Sequence, residues 1–239
     1  MSNLSKLRSE LIEYTRKKIR ESVSEDQLII QAISSSEELD RVLNILSKRL
    51  REWYALYNPE FEHAIDSHEA FVTILLQGRD VREPNTMGAD LSQEHVQEMH
   101  SLARRIADLY ELKKEEQNYI NEVMEENFPN LKAVAGGLIG AKLLAIAGGI
   151  KNLMLFPAST VQMLGAEKAF FRHLKNKKIS PPKYGILFQH PLVTKASKKD
   201  KGRVARALAD KISIASRIDY FKGEFKGDVL IKEVEEKFS

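Results

Sequence analysis

Two hydrophobic patterns divide this chain. Up to about Asn130 the apolar residues recur at heptad spacing: Leu39, Leu43, Leu46, Leu50, Trp53 and Tyr57 follow steps of 4, 3, 4, 3 and 4. That places them along one stripe of a helix suited to knobs-into-holes packing. Asn58-Pro59 predicts the end of this helix, because a residue before proline is pushed out of the helical region. A second seam runs through Met99, Leu102, Ile106 and Leu109, skips Lys113 and Glu116, and resumes at Ile120 and Val123. The polar interruption predicts local exposure. Between the seams, Ser67 to Gln77 predicts a short helix, and the turn-rich stretch Gly78 to Asp90 gives room to reverse direction. Two long helices with one reversal predict an antiparallel hairpin, its seam closed internally or by a second copy of the chain. Ser5 to Ser24 reads as a charged helix leading into it.

From Phe128-Pro129-Asn130 onward the pattern changes to shorter helices punctuated by glycine and proline. Leu131 to Ile150 alternates small and aliphatic residues and predicts one buried helix, stopped at Gly148-Gly149 by the left-handed conformation glycine tolerates. Pro157-Ala158-Ser159-Thr160-Val161-Gln162 has a capping-box signature, with Ser159 and Gln162 expected to exchange hydrogen bonds. In Ala166 to Lys175, the residues Lys168, Arg172 and Lys175 share one face, while Ala166, Phe170 and Leu174 point elsewhere and are expected to pack. Lys177, Lys178 and Lys183 flank Pro181-Pro182, and Pro191 follows Gln189-His190, so basic side chains stand on stiffened loops. Gly202 to Phe221 predicts the last long helix. One buried stripe on it is Val204, Leu208, Ile212 and Ala215; a second is Ala207, Ile214, Ile218 and Phe221. Arg203, Arg206 and Arg217 share the remaining face, free to grip phosphate or to pair with Asp210 and Asp219. The expected fold class is all-α: a leading helix (1–24), a coiled-coil hairpin (25–129), a compact helical domain (130–223) and a C-terminal extension (224–239).

Charge sharpens this division. The net charge of the 239 residues is only +3. Met1 to Ala141 holds 17 Lys and Arg against 25 Asp and Glu, Lys142 to Lys222 holds 17 against 4, and Gly223 to Ser239 holds 3 against 5. The middle segment thus concentrates a charge of +13, flanked by −8 and −2. A phosphate backbone neutralises such a field best; an acidic protein surface or an anionic membrane is the other class of partner it would attract. The absence of cysteine excludes disulfides, thiolate metal sites and cysteine nucleophiles together. The most apolar segment, Ala133 to Ile150, is split by Lys142 into runs well short of the roughly 20 residues that span a bilayer, so no segment is expected to enter a membrane, and the phosphate backbone of an RNA, not a membrane, is the partner expected.

Catalytic patterns are missing. The chain holds no phosphate-binding Walker loop, dinucleotide fingerprint, serine elbow or zinc-spaced histidine pair. Of its six histidines, His63 and His68, and likewise His95 and His100, stand five apart and so occupy different helix faces. His173 and His190 sit in basic, aromatic surroundings, where packing, hydrogen bonding or stacking on a nucleotide suits them better than acid–base work. Glu167, Asp200, Asp210 and Asp219 are too scattered for a two-metal centre. The expected role is therefore binding, with no enzyme activity, metal or cofactor.

The same residues carry a resemblance. Gly148-Gly149, then Pro157 to Gln162, then Gly165-Ala166-Glu167-Lys168-Ala169-Phe170-Phe171-Arg172-His173-Leu174-Lys175 closely resemble the signature of the Nop-domain family. Pro181-Pro182-Lys183-Tyr184-Gly185, Phe188-Gln189-His190-Pro191, Arg203 to Ala209 and Asp219-Tyr220-Phe221 are similar to its later blocks in the same order. Asp26 to Tyr57 looks like the helix that opens its coiled-coil domain.

This resemblance implies an RNA-binding scaffold of a box C/D-type guide ribonucleoprotein, similar to the archaeal core protein of such particles. It would recognise guide RNA with a kink-turn together with the ribosomal-protein-like protein bound there, and dimerise through its coiled coil to support RNA-guided 2'-O-methylation. The implied RNA contacts are Lys168, Arg172, His173, Lys175, Lys183, Gln189, His190, Arg203 and Arg206; the implied protein contacts are Gly165, Ala166, Glu167, Lys168 and Pro191. Leu39, Leu43, Leu46, Leu50, Trp53, Leu102, Ile106 and Leu109 would form the coiled-coil and homodimer seam. The methyltransferase fibrillarin belongs to the full family complex. Because the coiled-coil segment begins within the first few dozen residues, the family's separate fibrillarin-docking domain is expected to be missing from this sequence, whether it is a piece of a longer chain or a short relative, and direct docking is not expected of it. Cytoplasm is the implied location in an archaeal cell, and the nucleolus in a eukaryotic one. Two readings stand beside this one: a spliceosomal-type Nop-domain assembly factor, whose family pattern differs around Pro181 to Gly185, and a structural coiled coil binding acidic partners.

Overall fold

The computed structural model describes residues 3–238, and every regular element among them is helical. In chain order these are α1 (Asn3–Glu21), α2 (Glu25–Tyr54), α3 (Pro59–His63), α4 (His68–Leu76), α5 (Gln93–Asn127), α6 (Pro129–Ala135), α7 (Gly137–Ala147), α8 (Ile150–Leu155), α9 (Ala158–Met163), α10 (Glu167–Lys175), a 3-10 turn (Ile186–Gln189), α11 (Pro191–Lys195), α12 (Lys201–Tyr220) and α13 (Gly227–Phe238). Packing divides them into two units, one over Ser34–Tyr119, the other taking in the chain up to Ile33 and from Ile120 on. The change of pattern at Phe128 marks a helix end. The packing boundary falls earlier, because Ile29, Ile33, Ile120 and Met124 lie buried in the core of the second unit.

In the first unit α2 and α5 run antiparallel. Ser35 Oγ donates to Glu116 at 2.8 Å, Lys113 meets Asp40 at 2.5 Å, and Ser47 faces Tyr110, so rising numbers on one helix meet falling numbers on the other. The polar break in the second seam is therefore partnered across the hairpin instead of locally exposed. Leu43, Leu50, Tyr54, Met99, Ala103 and Ile106 are buried with Phe71, Val72 and Leu75 of α4; Leu46, Trp53, Leu102 and Leu109 pack half-buried against them, and Leu39 is half-buried on α2. The predicted seam is thus closed within one chain. Ser67 caps α4 by accepting from Ala70 N. α2 ends at Tyr54, short of the predicted stop, and Tyr57 lies in the turn that follows. Asn58 then caps α3, its side chain accepting from Phe61 N, with Pro59 in the first turn, where its missing N–H is harmless.

In the second unit α12 is central, with α6, α8, α9 and α13 packed around it. Its first predicted stripe, Val204, Leu208, Ile212 and Ala215, is fully buried or nearly so. The second stripe is only half-buried, and Phe221 at its end is 72% exposed. The single helix predicted over Leu131 to Ile150 is two: α6 and α7 bend by 110° at Gly136, whose φ of +80° favours glycine. Gly148 stops α7 in the left-handed conformation, as expected. Asp219 near the end of α12 turns inward, accepting from Asn130 N, Asn130 Nδ2 and Leu131 N at 3.2, 2.8 and 2.7 Å, which caps α6 from a distant helix. Burial pushes its carboxyl pKa up, against the opposing pull of those hydrogen bonds. The stretch set apart as an extension forms α13, with Leu230 and Val234 in the core. Among the described residues no single helix is long and apolar enough to cross a membrane.

Candidate nucleic-acid interface

The basic stripe on α10 forms as its spacing predicts. Lys168, Arg172 and Lys175 are exposed. Among the described residues no carboxylate lies within 4.0 Å of their charged ends, nor of those of Lys183 or Arg206. The opposite face departs from expectation: α10 buries no residue at all, and Phe170, Phe171 and Leu174 are 40%, 60% and 45% exposed. Phe170 and Phe171 instead line an open groove of about 440 Å³ with Ser159, Thr160, Met163 and Leu164. α10 therefore offers a cationic face and an apolar one. Its start is set by Gly165, at φ +81°, whose N–H donates to the Glu167 carboxylate at 2.7 Å. His173 is half-buried and its ring is hydrogen-bonded to the Ile179 carbonyl, so it fastens the following loop.

That loop is pinned to α9. Gln162 does not form the predicted capping box: α9 has no side-chain cap, and Gln162 Nε2 donates to the Lys183 carbonyl at 2.6 Å. The Gln162 and Leu164 carbonyls accept from Gly185 N and Ile186 N at 2.9 and 2.8 Å. These hydrogen bonds hold Lys183 to Ile186 against the α9–α10 junction, the place where the resemblance sets the protein and RNA contacts. Lys183 extends along Gly202, at the start of α12. Sequence reasoning missed an aromatic pair on this loop. Tyr184 and Phe188 stack with ring centres 5.1 Å apart and planes 13° from parallel, and Lys201 lies 4.8 Å from the centre of the Phe188 ring. Only the spacing of two aromatics among lysines hinted at it.

His190 is a correction to the predicted RNA contacts. It is 8% exposed, its Nδ1 accepts from Leu192 N to cap α11, and its ring is hydrogen-bonded to the Val134 backbone. Gln189 and Pro191 on either side are exposed. Burial lowers the pKa of His190 below the ordinary histidine value. An unfolded histidine titrates near ~6.5, so between that value and the lower folded one the unfolded chain holds the extra proton. The stability due to His190 is then complete above about pH 6.5 and declines as pH falls through that window. His190→Asn keeps a capping acceptor and removes the titration. Thermal melts between pH 7.5 and 5 should show a shallower decline for this variant; equal declines would show that His190 does not set the slope.

The arginines of α12 divide three ways. Arg206 is exposed, with no carboxylate beside it among the described residues. Arg203 meets Asp200 at 3.1 Å, while Asp200, also bonded to Ser197, is held below its ordinary pKa first by that serine and then by Arg203. Arg217 donates to the Met154 carbonyl at 3.2 Å, so it serves the fold. No group of three or more His, Asp or Glu side chains among the described residues could hold a metal ion.

Comparison with known proteins gives this surface a context. The family model Nop, described as "snoRNA binding domain, fibrillarin", matches residues 35–239. An uncharacterised NOP5 family protein of Methanocaldococcus jannaschii is 37% identical over 94% of this chain and 59% of its own length. Nucleolar protein 56 of Schizosaccharomyces pombe and of Homo sapiens are each 36% identical over 95% of this chain, and over 52% and 43% of their own lengths. The chain thus spans between about two fifths and three fifths of these relatives. A crystal structure of a fibrillarin/Nop5p complex holds a chain similar to this one, with a TM-score of 0.60 and 27% identity over 98% of this chain and 77% of that one. The blocks read from Gly148 to Phe221 and the all-helical fold agree with these matches, and the chain belongs to the Nop-domain family.

Proposed function

We propose that this chain is a non-catalytic RNA-binding scaffold of a box C/D-type guide ribonucleoprotein. It meets a kink-turn RNA and the small protein bound to that RNA at one seam and supports 2'-O-methylation by a partner enzyme, for which fibrillarin, named in the similar complex, is the candidate. The observation that carries this reading is the conformation of α10: an exposed cationic stripe beside an exposed phenylalanine groove. A helix that buried its apolar side would present charge alone. One that presents both suits a composite target, polyanion on one side and protein on the other, and the pinned loop beside it lowers the entropy lost on binding. Lys168, Arg172, Lys175, Lys183, Gln189 and Arg206 are the proposed RNA contacts; Gly165 to Glu167, Phe170 and Phe171 face the small protein. Dimerisation, with the heptad seam already filled, would use the exposed Val42 and Ile45 on α2.

Reversing Lys168 and Arg172 to glutamate should weaken binding to the preassembled RNA–protein pair at least tenfold in gel shifts, with circular dichroism unchanged. Removing one phosphate-binding side chain should flatten the salt dependence of the affinity by roughly one unit of slope. Equal binding to naked duplex, with no gain from the small protein, would refute the composite surface.

A further inference from the structure

We infer that the Tyr184–Phe188 stack with Lys201 is a platform for one unpaired nucleobase of the bound RNA, a subsite that rests on the proposed RNA-binding function. The two rings are nearly parallel, and Phe188 remains 44% exposed although its neighbour Leu187 is fully buried. A lone exposed aromatic needs no explanation, but one held parallel to a second ring with a lysine above it is already shaped as a stacking surface. Lys201 lies over that ring at 4.8 Å, a cation–π contact that a base can replace by its own stacking and that holds a charge ready for a phosphate.

The backbone beneath is fixed. Phe188 N donates to the Gly185 carbonyl at 3.1 Å, and Thr194 Oγ1 donates to the Phe188 carbonyl at 2.9 Å. Gly185 is itself tied to Gln162, and Lys201 N donates to the Ser197 carbonyl at 3.0 Å. The backbones that carry the ring and the lysine are therefore both fixed, while the Lys201 side chain stays free to move; Lys183 lies beside Gly202. A base that slides over Phe188 extends the stack, while Lys201 swings from the ring to the nucleotide's phosphate. Aromatic faces accept any base in this way, so the subsite reads the presence of an unstacked base and not its identity. A paired duplex cannot supply one.

The test uses the full chain and a kink-turn RNA assembled with its bound small protein. A series of these RNAs carries a single abasic site at each unpaired position in turn. One of them should bind the wild-type chain about tenfold more weakly than the base-bearing RNA. Phe188→Ala should lose that discrimination while keeping the salt slope, and Phe188→Trp should retain it. Phe188→Leu, which preserves apolar volume without a π-face, should behave like Phe188→Ala; if it behaves like wild type, the residue only packs and the inference fails. It fails too if no abasic position matters, or if Phe188→Ala weakens capture of the small protein without RNA. Should the wild-type chain bind none of these RNAs, the RNA-binding function itself is refuted, an outcome distinct from normal binding without discrimination.

Discussion

Gly185→Ala is expected to lower RNA affinity by a factor of ten or more and to cost about 3 kcal/mol of stability, although the change adds only one methyl group to a surface loop. A Cβ at Gly185 would lie 1.8 Å from the Leu164 carbonyl oxygen and 2.7 Å from its carbon. Both are backbone atoms, so no rotamer change relieves the overlap. The loop must lift, and with it go the hydrogen bonds from Gly185 to Gln162 and from Ile186 to Leu164. Overpacking of this kind costs ~1–3 kcal/mol, and each broken hydrogen bond about 1 more. For a unit of this size the melting temperature should fall by roughly 10 °C. Lys183, Tyr184 and Phe188 ride on the displaced segment, so binding should suffer even well below the melting point. Gly202→Ala is the control, since its Cβ would meet only Lys183 side-chain carbons, at 3.7 and 3.8 Å. Placed in the first turn of α12, it should leave binding unchanged and stability equal or slightly higher. If Gly185→Ala binds as tightly as Gly202→Ala, the pinned loop is not part of the interface.

The contrast between these two glycines shows what can be read from a sequence and what cannot. Local periodicity carried far: Leu43, Leu50 and Ile106 are buried where the heptads put them, the Val204 stripe is the inner face of α12, and the 168, 172, 175 stripe is exposed and unpaired among the described residues. These are properties of one helix and its own residues. Errors cluster where a side chain finds its partner far along the chain. Gln162 looked like the return arm of a capping box four residues long, yet its amide bonds to a carbonyl 21 residues away. His190, between a glutamine and a proline in a basic stretch, looked exposed; contact with Val134 and a cap on α11 bury it. Gly136 breaks the predicted single helix with a φ of +80° and a bend of 110°, a use of glycine that the aliphatic pattern around it does not announce. Phe170 and Leu174 satisfied the pattern of a buried face, but periodicity gives only the direction of a side chain, and α10 buries neither of them. The interface was legible as charge and as family blocks, whereas its aromatic platform emerged only once Tyr184 and Phe188 were seen side by side.

Asp219→Ala should be the most destabilising change that removes no interface side chain. The carboxylate accepts three hydrogen bonds from the first two residues at the start of α6 that carry free amides, Asn130 and Leu131. Asn130 in turn accepts from Lys226 N at 2.6 Å, so the same cluster fixes the approach to α13. Alanine leaves Asn130 N, Asn130 Nδ2 and Leu131 N without acceptors where water has little access, Asn130 being 1% exposed. At about 1–3 kcal/mol per stranded buried donor, and with partial relaxation, the expected loss is about 4 kcal/mol. Asp219→Asn keeps the volume and one acceptor oxygen but turns an amide N–H₂ toward donors, so it should fall between alanine and wild type. Urea or thermal unfolding would order the three proteins. Melting of Asp219→Ala at the wild-type temperature would mean that the α6 amides find other partners and that this cap is dispensable. Binding then separates fold from interface: Asp219 touches neither α10 nor the 183–189 loop, so below its lowered melting temperature Asp219→Ala should hold RNA almost as well as wild type. Gly185→Ala, at comparable stability, should not. A matched loss of affinity in both would mean that RNA binding tracks the stability of the whole unit, and the assignment of the interface to the pinned loop would be wrong.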